Sequence, residues 1–391
     1  MHTLKLAKYK HIFFLLCCFF LFSLYSGCTQ TAQPESGAAA ADSSAVSAPP
    51  SEYSERTSST RSQRVRTGAE QLIAKRLDLL KGKSVAVVAN PTACLPDGTH
   101  LVDTLLALGI EIKKVFGPEH GFRGDASAGT KVKSTRDAKT GLPILSLYGS
   151  SRKPTPAQLK DVEVVVFDIQ DVGSRHYTYI YTMSYVMEAC AENDKQMVVL
   201  DRPNPNGWYV DGPVLQKAHS SFIGMHEIPI VHGMTIGEYA RMLNGEGGLA
   251  NGVQARLEVV PCEGYTHRMR WEDTGLEWIA PSPNLATAYA AYLYPALCWL
   301  EPTTASVGRG THEAFTIVGA PWFRGLQTAR TEQGHIDLYG LSLEPYTFTP
   351  RSLPGKAEYP KFQDQACQGY RISGYTTGKN LFLAGLTLLQ T

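Results

Sequence analysis

The sequence predicts an α/β fold: a Rossmann-like parallel-sheet domain followed by a smaller mixed α/β C-terminal domain. Two observations carry this expectation. Short, continuous Val-rich runs alternate with helical patterns, the signature of strands covered on both faces. That regular alternation fades beyond 245–252 (GEGGLANG), a Gly-rich stretch that reads as a boundary.

The elements follow in order. SVAVVAN at 84–90 reads as the first buried strand, 99–108 as a helix ended by Gly109, and 111–116 as the second strand. Residues 144–148 form the third, and VEVVVFD at 162–168 the fourth. A helix over 179–192 leads to MVVLD at 197–201, the fifth. A helix over 235–243 follows, weakened slightly by Gly237. The later pattern is less regular: a strand at 256–260, a helix at 286–300, strands at 315–318 and 370–372, and an apolar helical pattern from Gly378 to Thr391. That last pattern stops without a capping signal, so further chain is an open expectation.

The N-terminus carries the compartment. Lys5, Lys8 and Lys10 precede an apolar run at 11–25, the length of a signal-peptide core rather than a membrane span. Leu24-Tyr25-Ser26-Gly27-Cys28 resembles a lipoprotein processing site, although Tyr25 stands where Leu is usual. Residues 1–27 are read as a lipoprotein signal peptide and Cys28 as the lipidated residue. Residues 28–67, rich in Ser, Ala, Thr, Gln and Pro, are read as a disordered tether, since they hold too little apolar surface to offset ordering entropy. The folded body is then 68–250, the Rossmann-like domain, and 251–391, the smaller C-terminal domain. The expected location is the cell envelope, lipid-anchored at the periplasmic or outer-membrane face.

A formal charge of +1 with no Lys/Arg-rich run gives no footprint for nucleic acid. Beyond Cys28 the cysteines are Cys94, Cys190, Cys262, Cys298 and Cys367. They lack metal-like spacing, and an odd number does not define a disulfide framework. Cys190 and Cys298 fall in helical patterns as buried thiols. There is no G-x-G-x-x-G after the first strand and no P-loop, so no nucleotide cofactor is expected.

In open parallel sheets ligands bind outside the carboxyl ends of the strands. Every strand end but the third delivers polar residues framed by Gly or Pro. The first is followed by Asn90-Pro91-Thr92, and the second by GPEHGFRG at 117–124, with Glu119, His120 and Arg123. The fourth brings Asp168, Gln170, Asp171, Arg175, His176 and Tyr177; the fifth brings Arg202 and Asn204. Glu119, between Pro118 and a Gly turn, is suited to a raised pKa and proton donation; its plainer role is a helix cap or a partner for Arg123. Asp168 and Asp171 are candidates for a second carboxylate, as glycoside hydrolysis requires, or for ordering the loop. Arg175, His176 and Arg202 suit an anionic group, or internal pairing with Asp168, Asp171 or Asp201. Glu238 completes a capping box with Thr235, and His232 just before it is expected to face the cleft. Asn284 in PSPN at 281–284 and Arg309 in GRGT at 308–311 are weaker candidates for ligand contact.

Together with FDIQDVGSRHYTY at 167–179, DRPNPNG at 201–207 and HGMTIGE at 232–238, these motifs resemble the exo-β-N-acetylmuramidase family, glycoside hydrolase family 171, over roughly residues 68–391. The resemblance implies a Rossmann-like domain, a smaller second domain and a cleft near their junction. It implies release of N-acetylmuramic acid from the non-reducing end of peptidoglycan fragments, a step of peptidoglycan recycling. Glu119 falls on the family's catalytic-motif Glu. The chain departs from the family pattern of Pro, Gly, Asn and Pro at Ala286, Pro302, Thr304 and Ala314, which puts loop shape in the second domain in question.

The mechanism expected is protonation of the leaving oxygen by Glu119. Asp168 or Asp171 then acts as nucleophile or base, or the substrate's 2-acetamido group attacks in its place. Arg175 or Arg202 is the expected grip on the lactyl carboxylate. The alternative class is a non-catalytic lipoprotein that binds muramyl sugars in the same cleft. A metal-dependent hydrolase built on His120, Asp168, Asp171 and His232 has no tight ligand spacing behind it.

Overall fold

The structure is a computed structural model that describes residues 64–124, 135–149, 151–325, 336–376 and 380–389. The signal peptide, Cys28 and nearly all of the tether lie outside the described residues.

The body opens with helix α1 (Gly68–Lys75), started by a capping box: Thr67 accepts from the Glu70 N–H, and the Glu70 carboxylate accepts from the Thr67 N–H. There follow β1 (Ser84–Ala89), α2 (Leu101–Ala107), β2 (Glu111–Gly117), β3 (Thr135–Arg136), β4 (Pro143–Ser146), α3 (Pro156–Leu159), β5 (Val164–Asp168), α4 (Tyr179–Glu192), β6 (Gln196–Leu200), α5 (Ile236–Gly245) and β7 (Arg256–Val260). These strands form one sheet in the order β3-β4-β2-β1-β5-β6-β7. All neighbours are parallel except the β3–β4 edge pair.

Two apolar layers hold the sheet. One face packs Ala86, Val88, Val165, Phe167 and Val199 against α4 and α5; the other packs Val85, Val87, Val164, Val166 and Val198 against α1 and α2. Burial on both faces is why these strands read as unbroken Val runs. β7 was expected beyond the boundary at 245–252, yet it pairs with β6 along its whole length and completes the large sheet.

The remaining chain forms α6 (Ala288–Leu297), β8 (Ile317–Ala320), β9 (Ile336–Leu338), β10 (Leu341–Phe348), β11 (Cys367–Gly374) and α7 (Leu381–Leu389). Its sheet is antiparallel in the order β8-β11-β10-β9. α7 lies close on α6: a Cβ on Gly385 would stand 2.5 Å from the Ala296 carbonyl oxygen. The strand expected from Phe315 starts at Ile317, because Phe315 has a left-handed backbone (φ 62°) that no strand accommodates. β10 escaped the sequence reading because Pro345 interrupts it. Among the described residues β9 pairs with β10 only at Leu341–Leu343, so Pro345 lies past the described part of that pairing.

Candidate active site

Counting only the parallel strands of the large sheet, the chain runs outward from β1 through β2 to β4, then returns to β5, β6 and β7 on the other side. Crossovers therefore diverge between β1 and β5. Their carboxyl ends, Asn90 and Asp168, stand at the switch point where such sheets bind ligands.

A hydrogen-bonded crown closes the strand ends. Asn90 Oδ1 accepts from the Thr92 N–H at 2.9 Å and from its hydroxyl at 2.5 Å. Thr92 Oγ1 in turn accepts from the Gln170 N–H at 2.9 Å. Gln170 spends its amide on the carbonyls of Asp171 and Pro203, at 2.8 and 2.7 Å. Asn204 accepts from the Asn206 N–H and donates to the Met234 carbonyl, so it locks the loop after β6.

Asp168 is fully buried, and Arg202 clasps both its oxygens, Nε at 2.6 Å and Nη2 at 2.9 Å. Internal pairing thus accounts for both residues. Asp201 lies at the N-terminus of α5, where its oxygens accept from the Gly237 N–H and the Thr235 hydroxyl. A Cβ on Gly237 would stand 2.7 Å from the Asp201 carboxyl carbon, which explains a glycine in the first turn of a helix.

Asp171 is also buried, but it keeps an oxygen uncommitted. Oδ2 accepts from the Gly173 N–H at 2.7 Å, while Oδ1 has no hydrogen-bond partner among the described residues. His232, expected to face the cleft, has a 1% exposed side chain and stands behind Asp171, its Nε2 3.8 Å from Oδ2. The tautomer follows from geometry. Nδ1 accepts from the Met234 N–H at 3.2 Å, so the neutral ring carries its proton on Nε2. Burial pushes Asp171 up to about 7 and His232 down to about 4.

Asp171 therefore has a stability signature. Its folded pKa lies above the unfolded value of about 3.9, so the native state holds the extra proton between about pH 4 and about pH 7, and stability falls as pH rises through that window. Asp171→Asn is expected to remove this slope. Melting temperatures at about pH 5 and about pH 8 should converge toward each other in the variant. Parallel curves for the two proteins would refute the assignment.

Glu119 is different. Pro118 and His120 on either side are buried, while Glu119 is only partly so. The Gly121 N–H donates to the Pro118 carbonyl at 3.0 Å, closing a turn in which His120 takes a left-handed backbone (φ 71°). That conformation costs a non-glycine residue about 1–3 kcal/mol, and strain of this kind clusters at functional sites. The Tyr179 hydroxyl lies 2.7 Å from the Pro281 carbonyl and 3.3 Å from that of Glu119, so it fastens the turn to the PSPN segment.

Tyr148 is a neighbour of the Glu119 side chain. Burial, the nearby Glu119 charge and a hydrogen bond to its carboxylate push the Tyr148 phenol up to about 12. The third strand end, read as silent in the sequence, thus delivers a contact to the candidate acid: β4 stops at Ser146, leaving Tyr148 beyond it. The packing that leads away from Tyr179 is aromatic and largely buried. Ring centroids run from Tyr179 to Tyr177 at 5.0 Å, to Tyr294 at 5.6 Å and on to Phe315 at 5.0 Å, with the Arg309 guanidinium 5.1 Å above Phe315.

The other expected contact residues have partners within the protein. Arg123 is shared between Asp137 (2.8 Å) and Asp103 (3.0 Å), which holds the Asp137 carboxyl well below the usual range. Arg175 donates to the carbonyls of Pro213 and Ile228, at 2.8 and 2.6 Å. His176 packs edge-on against Trp299 at 4.7 Å, and burial lowers it to about 4. Asn284 donates to the Lys356 carbonyl at 2.9 Å. Gly310 brings the chain's own Arg351 and Pro360 close: a Cβ there would stand 2.7 Å from the Arg351 carbonyl oxygen. Tyr148, Tyr294 and Phe315 were not singled out from the sequence. A tyrosine two residues past a strand and just before Gly149 was the available signal for the first; the other two carried none.

Comparison with known proteins agrees with this architecture. The family model described as "Exo-beta-N-acetylmuramidase NamZ, N-terminal" matches residues 85–289, and "Exo-beta-N-acetylmuramidase NamZ, C-terminal" matches 292–390. The peptidoglycan beta-N-acetylmuramidase NamZ of Bacillus subtilis strain 168 is 40% identical over 333 residues, 84% of this chain and 77% of that protein. Two crystal structures of DUF1343 family proteins from Bacteroides fragilis are also similar. One has a TM-score of 0.67 at 40% identity, covering 83% of this chain and 80% of its own. The other has a TM-score of 0.71 at 34% identity, covering 84% and 83%.

Proposed function

This chain belongs to the exo-β-N-acetylmuramidase family, and from that premise we propose that it releases N-acetylmuramic acid from the non-reducing end of peptidoglycan fragments, with Glu119 as general acid. One observation carries the role of Glu119. Of the three candidate carboxylates it alone is only partly buried, on a strained turn at the carboxyl end of the sheet.

The step proposed is transfer of the Glu119 proton to the glycosidic oxygen as the C1–O bond breaks. Positive charge then develops on the sugar ring, and water finally supplies the hydroxyl at C1, its other proton returning to the Glu119 carboxylate. Asp168 is unsuited to meet that charge, since Arg202 occupies both its oxygens. Asp171 is the better second carboxylate, with Oδ1 uncommitted. Acting through the substrate's 2-acetamido group, it would orient the attack rather than make it.

Cys28 is proposed to carry the lipid that holds the body at the envelope. The support is the Lys-rich start, the apolar run and the small residues before Cys28.

The test is hydrolysis of a chromogenic β-N-acetylmuramide beside its N-acetylglucosamine counterpart. Release from the muramide alone is the expected result. Release from neither, with muramyl sugar still raising the melting temperature, would replace the enzyme by a binding protein. Run on cell fractions, the same assay addresses the anchor: activity should sediment with membranes and become soluble in Cys28→Ser. Activity that sediments equally in both would refute lipidation at Cys28.

A further inference from the structure

The geometry points to Arg309 as the specificity residue: its guanidinium receives the lactyl carboxylate of the sugar whose glycosidic oxygen faces Glu119. This inference rests on the muramidase reading and names the group that tells muramic acid from glucosamine.

The arginines expected to grip that carboxylate are otherwise engaged. Arg202 holds Asp168, so an incoming anion would have to displace a fully buried carboxylate. Arg175 is 5% exposed and fixed by two carbonyl oxygens of the 213–228 segment.

Arg309 is held and still open. Its Nε donates to Glu301 at 2.5 Å, and its guanidinium rests over Phe315. The Glu301 loop is itself braced by Lys361, whose ammonium donates to the carbonyls of Glu301, Thr303 and Ala305. No hydrogen bond from the two Nη groups to the described residues accompanies that of Nε, and the side chain is 31% exposed. Burial is the largest single influence and opposes its charge, but Glu301, Tyr294 and Glu119 together raise its pKa. An Arg anchored at Nε and stacked on a ring presents its Nη edge without losing further side-chain entropy, in the fork geometry that matches a carboxylate.

Placement fits the ligand. A largely buried row of packed rings links the Glu119 turn through Tyr179, Tyr177 and Tyr294 to Phe315 beneath Arg309. On the sugar the scissile oxygen is on C1 and the lactyl ether on C3, with the acetamido group between them. Glu119 acts on the charge of Arg309, so acid and cation belong to one site, and a single sugar can turn its C1 oxygen to the first and its lactyl group to the second.

The experiment compares kcat/KM of wild type, Arg309→Gln and Arg309→Lys on three chromogenic β-glycosides: the N-acetylmuramide, its lactyl methyl ester and the N-acetylglucosaminide. Arg309→Gln should lose roughly 10–100-fold on the muramide, mostly through KM, and little on the glucosaminide. The wild type should lose a similar factor on the methyl ester, and Arg309→Gln should no longer distinguish ester from acid. Arg309→Lys should fall between. If wild type cleaves the muramide selectively but Arg309→Gln keeps the full preference for acid over ester, the inference fails and the muramidase reading stands. If wild type cleaves none of the three, the muramidase reading itself fails. Should Arg309→Gln not fold, the wild-type ester comparison and Arg309→Lys decide. An ester cleaved as well as the acid overturns the inference.

Discussion

Glu119→Gln is expected to lower turnover of a muramyl disaccharide by about 10²–10⁴-fold while leaving sugar binding and the melting temperature near wild type. The amide has the shape of the acid but no proton to give the leaving oxygen. The backbone turn that positions it, the Gly121-to-Pro118 hydrogen bond and the left-handed His120, does not involve the side chain. The loss should be smaller on a nitrophenyl muramide, whose leaving group needs less protonation. That gradient separates a missing acid from a damaged site. Equal losses on both substrates, or no loss on either, would take the proton-donor role from Glu119.

Arg202→Ala carries the second large effect, on stability. Removal of the guanidinium leaves Asp168 charged and uncompensated in the interior, a change that costs about 3–5 kcal/mol. Denaturant titration should show the midpoint falling with little change in slope. Asp168→Asn in the same chain should restore part of the loss, because the stranded charge is gone. A cost below about 1 kcal/mol for the single variant would mean that the pair does not hold the strand ends together. The two residues follow β5 and β6, so activity should fall with stability even though neither need touch substrate.

Much of the fold was legible because the large sheet is buried on both faces. SVAVVA and VVVFD admit no other reading once helices separate them. The capping box at Thr235 and Glu238 was equally plain, since it is written in two side chains three residues apart. Of the smaller sheet, β8 and β11 were read in part; β10 was hidden by Pro345, and the left-handed Phe315 blurred the start of β8. Within the site, loop chemistry marked the right segments but not which side chains face outward. Asp168 and Arg202 stand 34 positions apart, and sequence leaves open whether two such charges meet each other or a ligand. His232 was misjudged for a related reason: nothing local records that it is buried against Asp171. Tyr294 and Phe315 join the largely buried row of rings only through packing between distant segments, which no local pattern encodes.

The Tyr179 hydroxyl bears on how freely this architecture can be recombined. Every strand of the large sheet is complete by Val260, so by strand pairing alone that portion is separable from the C-terminal remainder. Yet the turn carrying Glu119 is fastened through Tyr179 to Pro281, beyond the last of those strands. A chimera joined between Val260 and Pro281 would inherit an intact sheet and a foreign fastening for its acid. Exchanges between relatives that keep 281–284 with the N-terminal portion preserve that fastening, whereas those that cut before it recalibrate the placement of Glu119 with each new partner.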